Sequence, residues 1–557
     1  MHLTKAFRRL TTSSNQHHVP VVALTGTWPI RKTTSKRARV ALASVAAAAL
    51  LSTAPVLAQE IELTAKDGSM TLKGDLVGFE DRKYTIRTQL GELVIDADSM
   101  DCAGAACPVM KPPAIDFRVT GAQTPSETLL PRLLNAYSAQ SDTSVQIGSH
   151  PEEGQLIVLN DAEDDPLANV QVVSSTSSSG LVDLVQGDAQ MALSTRPPRP
   201  NEADAFKKSG LGEIQGKDQE YVMALEGVLI ITAPGNPIGA ISDEMAARIF
   251  SGAVTNWSAL GGPDAPIQVY ARDAASDTGD AFTNLVMAAQ SLQVRDDATI
   301  VDSDARLSAR VAGDPFGIGF IGFGETGDAK PLAISGACGL RVAPSEFAIK
   351  SEQYPLTRRL SAYVAGDRPD QLTGFFEFLN SDSAQQAVAD AGFVTQEVAT
   401  APLDQHAERL SSAILSGLTA EALPRLQDMV RQMTDARQLS LSFRFVPGTN
   451  TLDARSHSDL ARLAELLASE DYAGKIVTLA SFTEAAANAA QNQPLSVQRG
   501  QMILDGLLEI DGTLNEKVTL NMVGYGDIAP LTCSGTVVGQ HVNSRVEVWV
   551  KEPVNQG

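Results

Sequence analysis

From Asp116 to about Val398 the chain alternates two hydrophobic patterns. Runs such as DFRV, VQVV, QMALS, EGVLIITA and IQVYA read as strands, and stretches such as SETLLPRLLNAYSAQ and SDEMAARIFSG have helical periodicity. Strands that alternate with helices bury their sheet between helical layers, so the region is an α/β domain, and its length suits two lobes. With 557 residues the chain is too long for one core, and further domains flank this one.

Residues 59–110 alternate apolar and polar residues between turn signals (IELTAKDGSMTLKGDLVGFEDRKYTIRTQLGELVID), the pattern of four or five short strands in a small all-β domain, a barrel or a sandwich. PVMKPPA then reads as a Pro-bearing linker. Residues 403–437 have helical periodicity and few strand formers, and predict a connecting helix or helical hairpin. A last α/β unit covers 438–553. Its helices are predicted near 456–469 and 495–510, and its strands at KIVTLASF, VTLNMVGYG and SRVEVWVK.

Residues 1–58 carry eight Lys/Arg and no Asp or Glu, followed by VALASVAAAALLSTAPVLA. A basic region, an apolar run and small residues before the cut are the layout of a secretory signal, with cleavage expected after Ala58. The alternative, an N-terminal membrane anchor, is weakened by the shortness and Ala-richness of the run. The formal net charge is −22, and removing the signal makes it eight units more negative, which argues against a nucleic-acid partner. Any anion must then be held by local geometry.

Of four cysteines, Cys102 and Cys107 (DCAGAACP) predict a small loop disulfide in an oxidising compartment, while Cys338 and Cys533 either pair across domains or stay free. Seven histidines without metal-ligand spacing give no metal site, no cofactor and no hydrolytic centre, so no enzyme is expected.

The chemistry lies where small hydroxyl residues precede helical runs: GAQTPSETLLPRLL (121–134), STSSSGLVDLVQG (175–187) and ASDTGDAFTNLV (275–286). A helix start leaves N–H groups unpaired and carries partial positive charge, so three that converge replace an anion's water shell. The candidate ligands are Thr124, which with Glu127 fits a capping box, then Ser178, Ser179 and Gly180, Ser194 and Thr195 of LSTRPP, and Arg272, Ser276, Asp277 and Thr278. Gly180 is read as letting backbone approach the ligand, and Arg272 as a bidentate oxyanion contact. The plain alternative for each segment is an ordinary N-cap.

The landmarks ALEGVLIITAPGNPI (224–238), ISDEMAARIFSGAVTNWSALGG (241–262), the RDAASDT loop, GIGFIGFGE (317–325), YPLTRRLSAYV (354–364) and FFEFLNSDSAQQAVADAGFV (375–394) resemble the PstS-like periplasmic phosphate-binding proteins of ABC-type uptake systems. The resemblance implies a two-lobed type II binding protein over 116–398, with phosphate or a related oxyanion clamped between the lobes and an ABC permease as candidate partner. Two positions depart from the family pattern: Thr195 stands where its best-known members carry an acceptor Asp, and Asp277 replaces the Gly of RxxxSGT. Asp277 either turns to solvent, or accepts a proton from the ligand, or silences the site; Arg196 is placed to offset its charge.

Residues 440–553 resemble the OmpA-like C-terminal domain through FVPGTNTLD (445–453), SFTEAAANAAQNQPLSVQRG (481–500), VGYGDIAP (523–530) and GQHVNSRVEVWV (539–550). The resemblance implies peptidoglycan binding through Thr483, Glu484, Asn492 and Arg499, a carboxylate and a guanidinium facing the ammonium and carboxylate of the peptide stem. Glu484 occupies a position where the family has Asp, and Ser544 replaces one Arg. Together these readings describe an exported, non-enzymatic protein of the periplasm, associated with peptidoglycan up to the inner face of the outer membrane. The rival reading is a structural envelope protein whose binding domain has lost or changed its ligand.

Overall fold

The computed structural model describes residues 60–553, apart from 81, 109–114, 150–153, 337, 367–369, 408–409, 412–413, 415–421, 447, 486–488, 534–538 and 540–541. The signal and the PVMKPPA linker lie outside the described residues, the linker all but its first residue. The chain divides into two compact units, one ending at Met110 and one beginning at Lys111.

In the first unit the alternating segment forms one antiparallel sheet of five strands: Glu60–Ala65, Thr71–Glu80, Lys83–Thr88, Gly91–Asp96 and Met100–Ala103, in the spatial order fourth, third, second, first, fifth. Its alternation supplies a single buried face, with Ile61, Leu63, Tyr84 and Ile86 at its centre. The barrel or sandwich expected from the pattern is thus an open sheet among the described residues, since its first and last strands in spatial order do not pair. Cys102, in its last strand, is joined to Cys107 just beyond it.

The second unit begins with a long mixed sheet. Two antiparallel strands, Glu220–Thr232 and Thr357–Val364, run through its middle. One flank continues through Met191–Ser194, Ile115–Ala122 and Pro166–Ser175, and the other through Gly317–Gly322 and Gln268–Ala271. Each flank has its own core: Leu129, Leu133, Val170 and Phe375 in the first lobe, and Ile231, Phe250, Phe282 and Phe320 in the second. Two lobes therefore share two crossing strands, and Thr124 of the first meets Asp277 of the second across the cleft.

The C-terminal part is a five-stranded sheet ordered Thr400–Pro402, Arg437–Arg444, Arg545–Lys551, Ile476–Phe482, Thr519–Gly526, with helices Ala454–Ala468 and Asn492–Ile510 over one face. Of the predicted 403–437 helical segment, the short turn Leu403–His406 and the helix Ala422–Met433 are described, and the latter packs near Phe482, Tyr525 and Trp549 on the other face.

This part is built onto the second lobe. Cys338 and Cys533 form a disulfide 195 residues apart in sequence, the inter-domain option of the two that the sequence left open. Between the same two domains, Glu352 is surrounded by three guanidinium groups: Arg359 on a crossing strand (Nε to Oε1 2.6 Å), Arg444 (Nε to Oε2 3.1 Å) and Arg455 (Nη1 to Oε1 3.2 Å). Asp453 closes the cluster onto Arg359 at 2.7 Å. Burial alone would raise the Glu352 carboxyl, but Arg359 and Arg455 outweigh it and hold the group well below the ordinary carboxylate range.

A carboxyl depressed in the folded state contributes stability that is present above its unfolded pKa of about 4.3 and lost as pH falls through the folded value. Glu352→Gln leaves three guanidiniums short of a counter-charge and is expected to cost about 3–5 kcal/mol at pH 7. Denaturant titrations at pH 7 and pH 3 check this: the gap between wild type and variant should narrow at pH 3.

Candidate functional site

The three hydroxyl-bearing segments do meet the cleft between the lobes, but in unequal ways. Ser276 caps the helix Asp277–Phe282, its Oγ accepting from Gly279 N (3.1 Å) and donating to the Asp273 carbonyl (2.6 Å). That cap fixes the loop, and the Asp277 carboxylate, 8% exposed, reaches across to the first lobe, where Oδ2 accepts the backbone N–H of Thr124. The carbonyl of Asp277 in turn accepts from Arg358 Nη1 at 2.6 Å. Of the three placements open to Asp277, solvent is the one its burial rules out.

Thr124 and Glu127 form no capping box. Thr124 already has helical dihedrals ahead of the turn Pro125–Leu129, its side chain caps nothing, and Glu127 accepts instead from Gln123 Nε2 at 3.0 Å. At the second segment Thr176 is the N-cap, accepting from Ser179 N at 3.1 Å, and its Oγ1 lies 3.0 Å from Ser179 Oγ. Ser178 Oγ accepts from Arg196 Nη2 (2.6 Å) and from Arg199 Nη1 (3.1 Å). Ser194 and Thr195 are buried; Ser194 Oγ donates to the Arg196 carbonyl at 2.7 Å, and Thr195 N donates to Ser177 Oγ at 3.2 Å.

Gly180 has a packing reason. A Cβ there would lie 2.7 Å from Gly121 Cα and 2.9 Å from the Thr120 carbonyl, so the missing side chain lets its helix approach the strand Ile115–Ala122. The backbone that approaches Gly180 is the protein's own.

The arginines are paired. Arg272 Nε lies 2.8 Å from Asp304 Oδ1, and Asp304 Oδ2 also accepts from Thr278 Oγ1 (2.9 Å) and Gly322 N (2.8 Å). Arg196 is bidentate to Glu202 at 2.8 Å through both Nη atoms, so its charge is already balanced locally rather than left to offset Asp277. Burial opposes ionisation of Glu202, but Arg196 prevails and holds its carboxyl below the usual range. Arg358 pairs with Glu226. Sequence reasoning missed Asp304, Glu202, Glu226 and Arg358; Asp304 and Glu202 each open a helix, an ordinary place for an acid, and nothing local marks them as cleft residues.

In the C-terminal domain Thr483 Oγ1 donates to the Asn492 carbonyl (3.3 Å), and Asn492 Nδ2 donates to Asp527 (3.0 Å). Glu484 Oε2 accepts from Asn543 Nδ2 at 2.8 Å. Arg499 lies over the Phe445 ring at 4.6 Å and donates to the Thr449 carbonyl (3.0 Å) and Asn450 Oδ1 (3.3 Å). Among the described residues no cluster of three or more His, Cys, Asp or Glu is placed to hold a metal, and no helix is long and apolar enough to cross a membrane.

A two-lobed α/β domain with polar groups along an interlobe cleft is thus joined to a sheet-and-helix domain. Residues 111–383 match the model of the PBP superfamily domain and residues 444–544 that of the OmpA family, so the chain carries a PBP-superfamily binding domain followed by an OmpA-family domain. It is 28% identical over 188 residues to the phosphate-binding protein PstS of Borreliella burgdorferi, covering 33% of this chain and 67% of the relative. It is 28% identical over 246 residues to the protein SphX of Synechococcus elongatus, covering 42% and 69%. Outer membrane porin F of Pseudomonas aeruginosa is 29% identical over 132 residues, 24% of this chain and only 35% of the porin. Among solved structures, an ABC-type phosphate transport receptor from Vibrio cholerae aligns with 50% of this chain and 99% of its own length at 23% identity and a TM-score of 0.39.

If Gly180 serves packing, Gly180→Ala should destabilise the ligand-free protein. Overpacking against backbone is worth about 1–3 kcal/mol, more than the roughly 1 kcal/mol that Ala gains in a helix. A lowered unfolding midpoint in phosphate-free buffer is the expected reading; an unchanged midpoint with altered anion binding would restore the ligand role.

Proposed function

We propose that the PBP-superfamily domain binds phosphate or a related oxyanion in the interlobe cleft, and that the OmpA-family domain attaches the exported protein to peptidoglycan in the periplasm. The observation that carries the binding reading is the Thr124 N–H held by a carboxylate from the opposite lobe. A backbone donor at the start of a helical run has taken an oxyanion, and that oxyanion is the protein's own Asp277. Arg272, Ser276 and Thr278 surround the same loop. The names of the relatives, phosphate-binding proteins over the region concerned, agree with this ligand class.

In this reading an incoming anion displaces the Asp277 carboxylate from Thr124, or meets it at a cost of several kcal/mol if the two charges stay about 4 Å apart at an effective dielectric of about 20. Asp277→Gly is therefore expected to tighten phosphate binding about tenfold or more, a gain of about 1.4 kcal/mol. Arg272→Ala removes the guanidinium and should weaken it. Calorimetric titration of phosphate into wild type and both variants checks this. Absence of heat in all three favours the second reading, a structural envelope protein with a silent cleft, which the carboxylate beside each of Arg196, Arg272 and Arg358 supports.

The wall reading assigns Thr483, Glu484, Asn492 and Arg499 to the peptide stem. The extra methylene of Glu484 shifts its carboxylate by about 1.5 Å from where Asp would hold it, so the affinity should be modest. Purified sacculi should retain the mature protein and lose most of it when Glu484→Ala and Arg499→Ala are combined; equal retention would remove the assignment. An ABC permease is the natural partner of a free receptor, whereas a wall-attached one senses or stores its ligand, and co-purification from solubilised envelopes distinguishes the two.

A further inference from the structure

One helix of the C-terminal domain, Ala454–Ala468, holds the binding domain at three places. Its N-cap residue, Asp453, accepts from Arg359 Nη2 at 2.7 Å, on the crossing strand Thr357–Val364. Arg455 Nη2 donates to the Lys350 carbonyl at 2.7 Å, and Lys350 ends a helix whose Ala348 and Ile349 belong to the second-lobe core. About two turns further on, Arg462 Nη2 donates to the Gln396 carbonyl. Asp459, 1% exposed, stands between the two arginines, 3.5 Å from Arg455 Nε and 2.8 Å from Arg462 Nη1, and so positions both.

Gln396 belongs to a third segment that passes between the lobes. Within it Phe393 packs on the first-lobe core and Val394 lies in the second-lobe core. Val394 exchanges backbone hydrogen bonds of 2.9 and 3.0 Å with Leu225 on the other crossing strand. Gln396 is tied to the first-lobe side: its N–H donates to Gln385 Oε1 at 2.6 Å, and Gln385 lies on the helix Asp382–Asp390, whose Ala384 and Val388 are in that core. Along the same helix Arg455 and Ser458 line a crevice with Leu379 and Asn380 of the first lobe. Lobes that move about a hinge change φ and ψ at a few residues of such segments, and the Lys350 and Gln396 carbonyls then change their separation. An α-helix has a fixed rise of about 1.5 Å per residue, so its two arginines hold that separation.

We propose that the helix Ala454–Ala468 is a strap across the hinge of the binding domain, and that the interlobe cleft changes its width only when the C-terminal domain lifts away from it. The strap sets the spacing at which Asp277 reaches Thr124. It couples the two domains in both directions: a partner that pulls the C-terminal domain away alters the cleft, and a ligand that forces the lobes apart loosens the C-terminal domain. The Cys338–Cys533 disulfide permits this, since Cys338 lies between two strands whose Ile334 and Val342 pack in the second lobe, and the first lobe is held by the strap without a covalent bond. The inference concerns lobe geometry and holds whatever the cleft binds.

Pulsed electron paramagnetic resonance on the full chain with both disulfides intact tests it, with spin labels at two exposed helix positions, Gln140 in the first lobe and Glu244 in the second. Wild type in phosphate-free buffer is expected to give one narrow distance. Arg462→Ala removes the grip on Gln396, and Asn380→Trp wedges the crevice from an exposed position without emptying a core. Each should broaden the distribution or shift it by more than about 2 Å. A folded variant of either kind with the wild-type distribution would overturn the strap, and so would a wild-type distribution as broad as that of the variants. The comparison needs no ligand, so failure of phosphate binding would not touch it.

Discussion

Glu352 is one carboxylate shared among Arg359, Arg444 and Arg455, and the arrangement of the binding domain against the C-terminal domain depends on it. Each guanidinium comes from a different element: a crossing strand, the strand Arg437–Arg444, and the helix Ala454–Ala468. Arg444, fully buried, also donates to the Ser351 and Glu352 carbonyls at 3.1 and 2.8 Å, so side chain and backbone are read together. Glu352 itself has φ +53°, a left-handed conformation that a non-glycine residue adopts at a cost. Apolar side chains of the same volume would hold two domains together at least as firmly; what an ion cluster adds is a penalty for every misaligned docking. The Cys338–Cys533 disulfide reinforces the same junction covalently.

The consequence for the cleft is mechanical. Arg359 lies on one of the two strands through which the lobes are connected, next to Arg358, whose Nη1 holds the Asp277 carbonyl. Adjacent residues on one strand therefore face opposite ways, one toward the C-terminal domain and one toward the Asp277 loop. Across the cleft the Asp277–Thr124 contact and the Arg199–Asn284 hydrogen bond (3.1 Å) join the lobes. A cleft whose cations are paired internally offers geometry rather than net positive charge, in keeping with the acidic balance of the chain.

Much of the fold was legible in the residues. The strand and helix alternation of 116–398 gave two lobes because periodicity 2 and periodicity 3.6 report which face each element buries. The site was legible in part. Ser276 and Thr278 read as helix-start residues because capping is local chemistry, whereas Thr124 misled because a cap motif says nothing of whether the chain has already entered helical dihedrals. Gly180 showed that closeness was needed but not to what. Asp304 and Glu226 carried no signal, since each becomes a counter-ion only when an arginine 32 or 132 positions away arrives.

By itself the sequence determined the order of the domains, the class of each and the loop disulfide. These follow from patterns a few residues long, which local sterics and hydrogen bonding enforce wherever the chain goes. Only the tertiary structure decided that Asp277 turns inward onto Thr124, that each cleft arginine already has a carboxylate, and that Cys338 meets Cys533. The Asp277–Thr124, Arg358–Glu226 and Cys338–Cys533 contacts join residues 132 to 195 positions apart, which meet only once the crossing strands and the domain junction are in place.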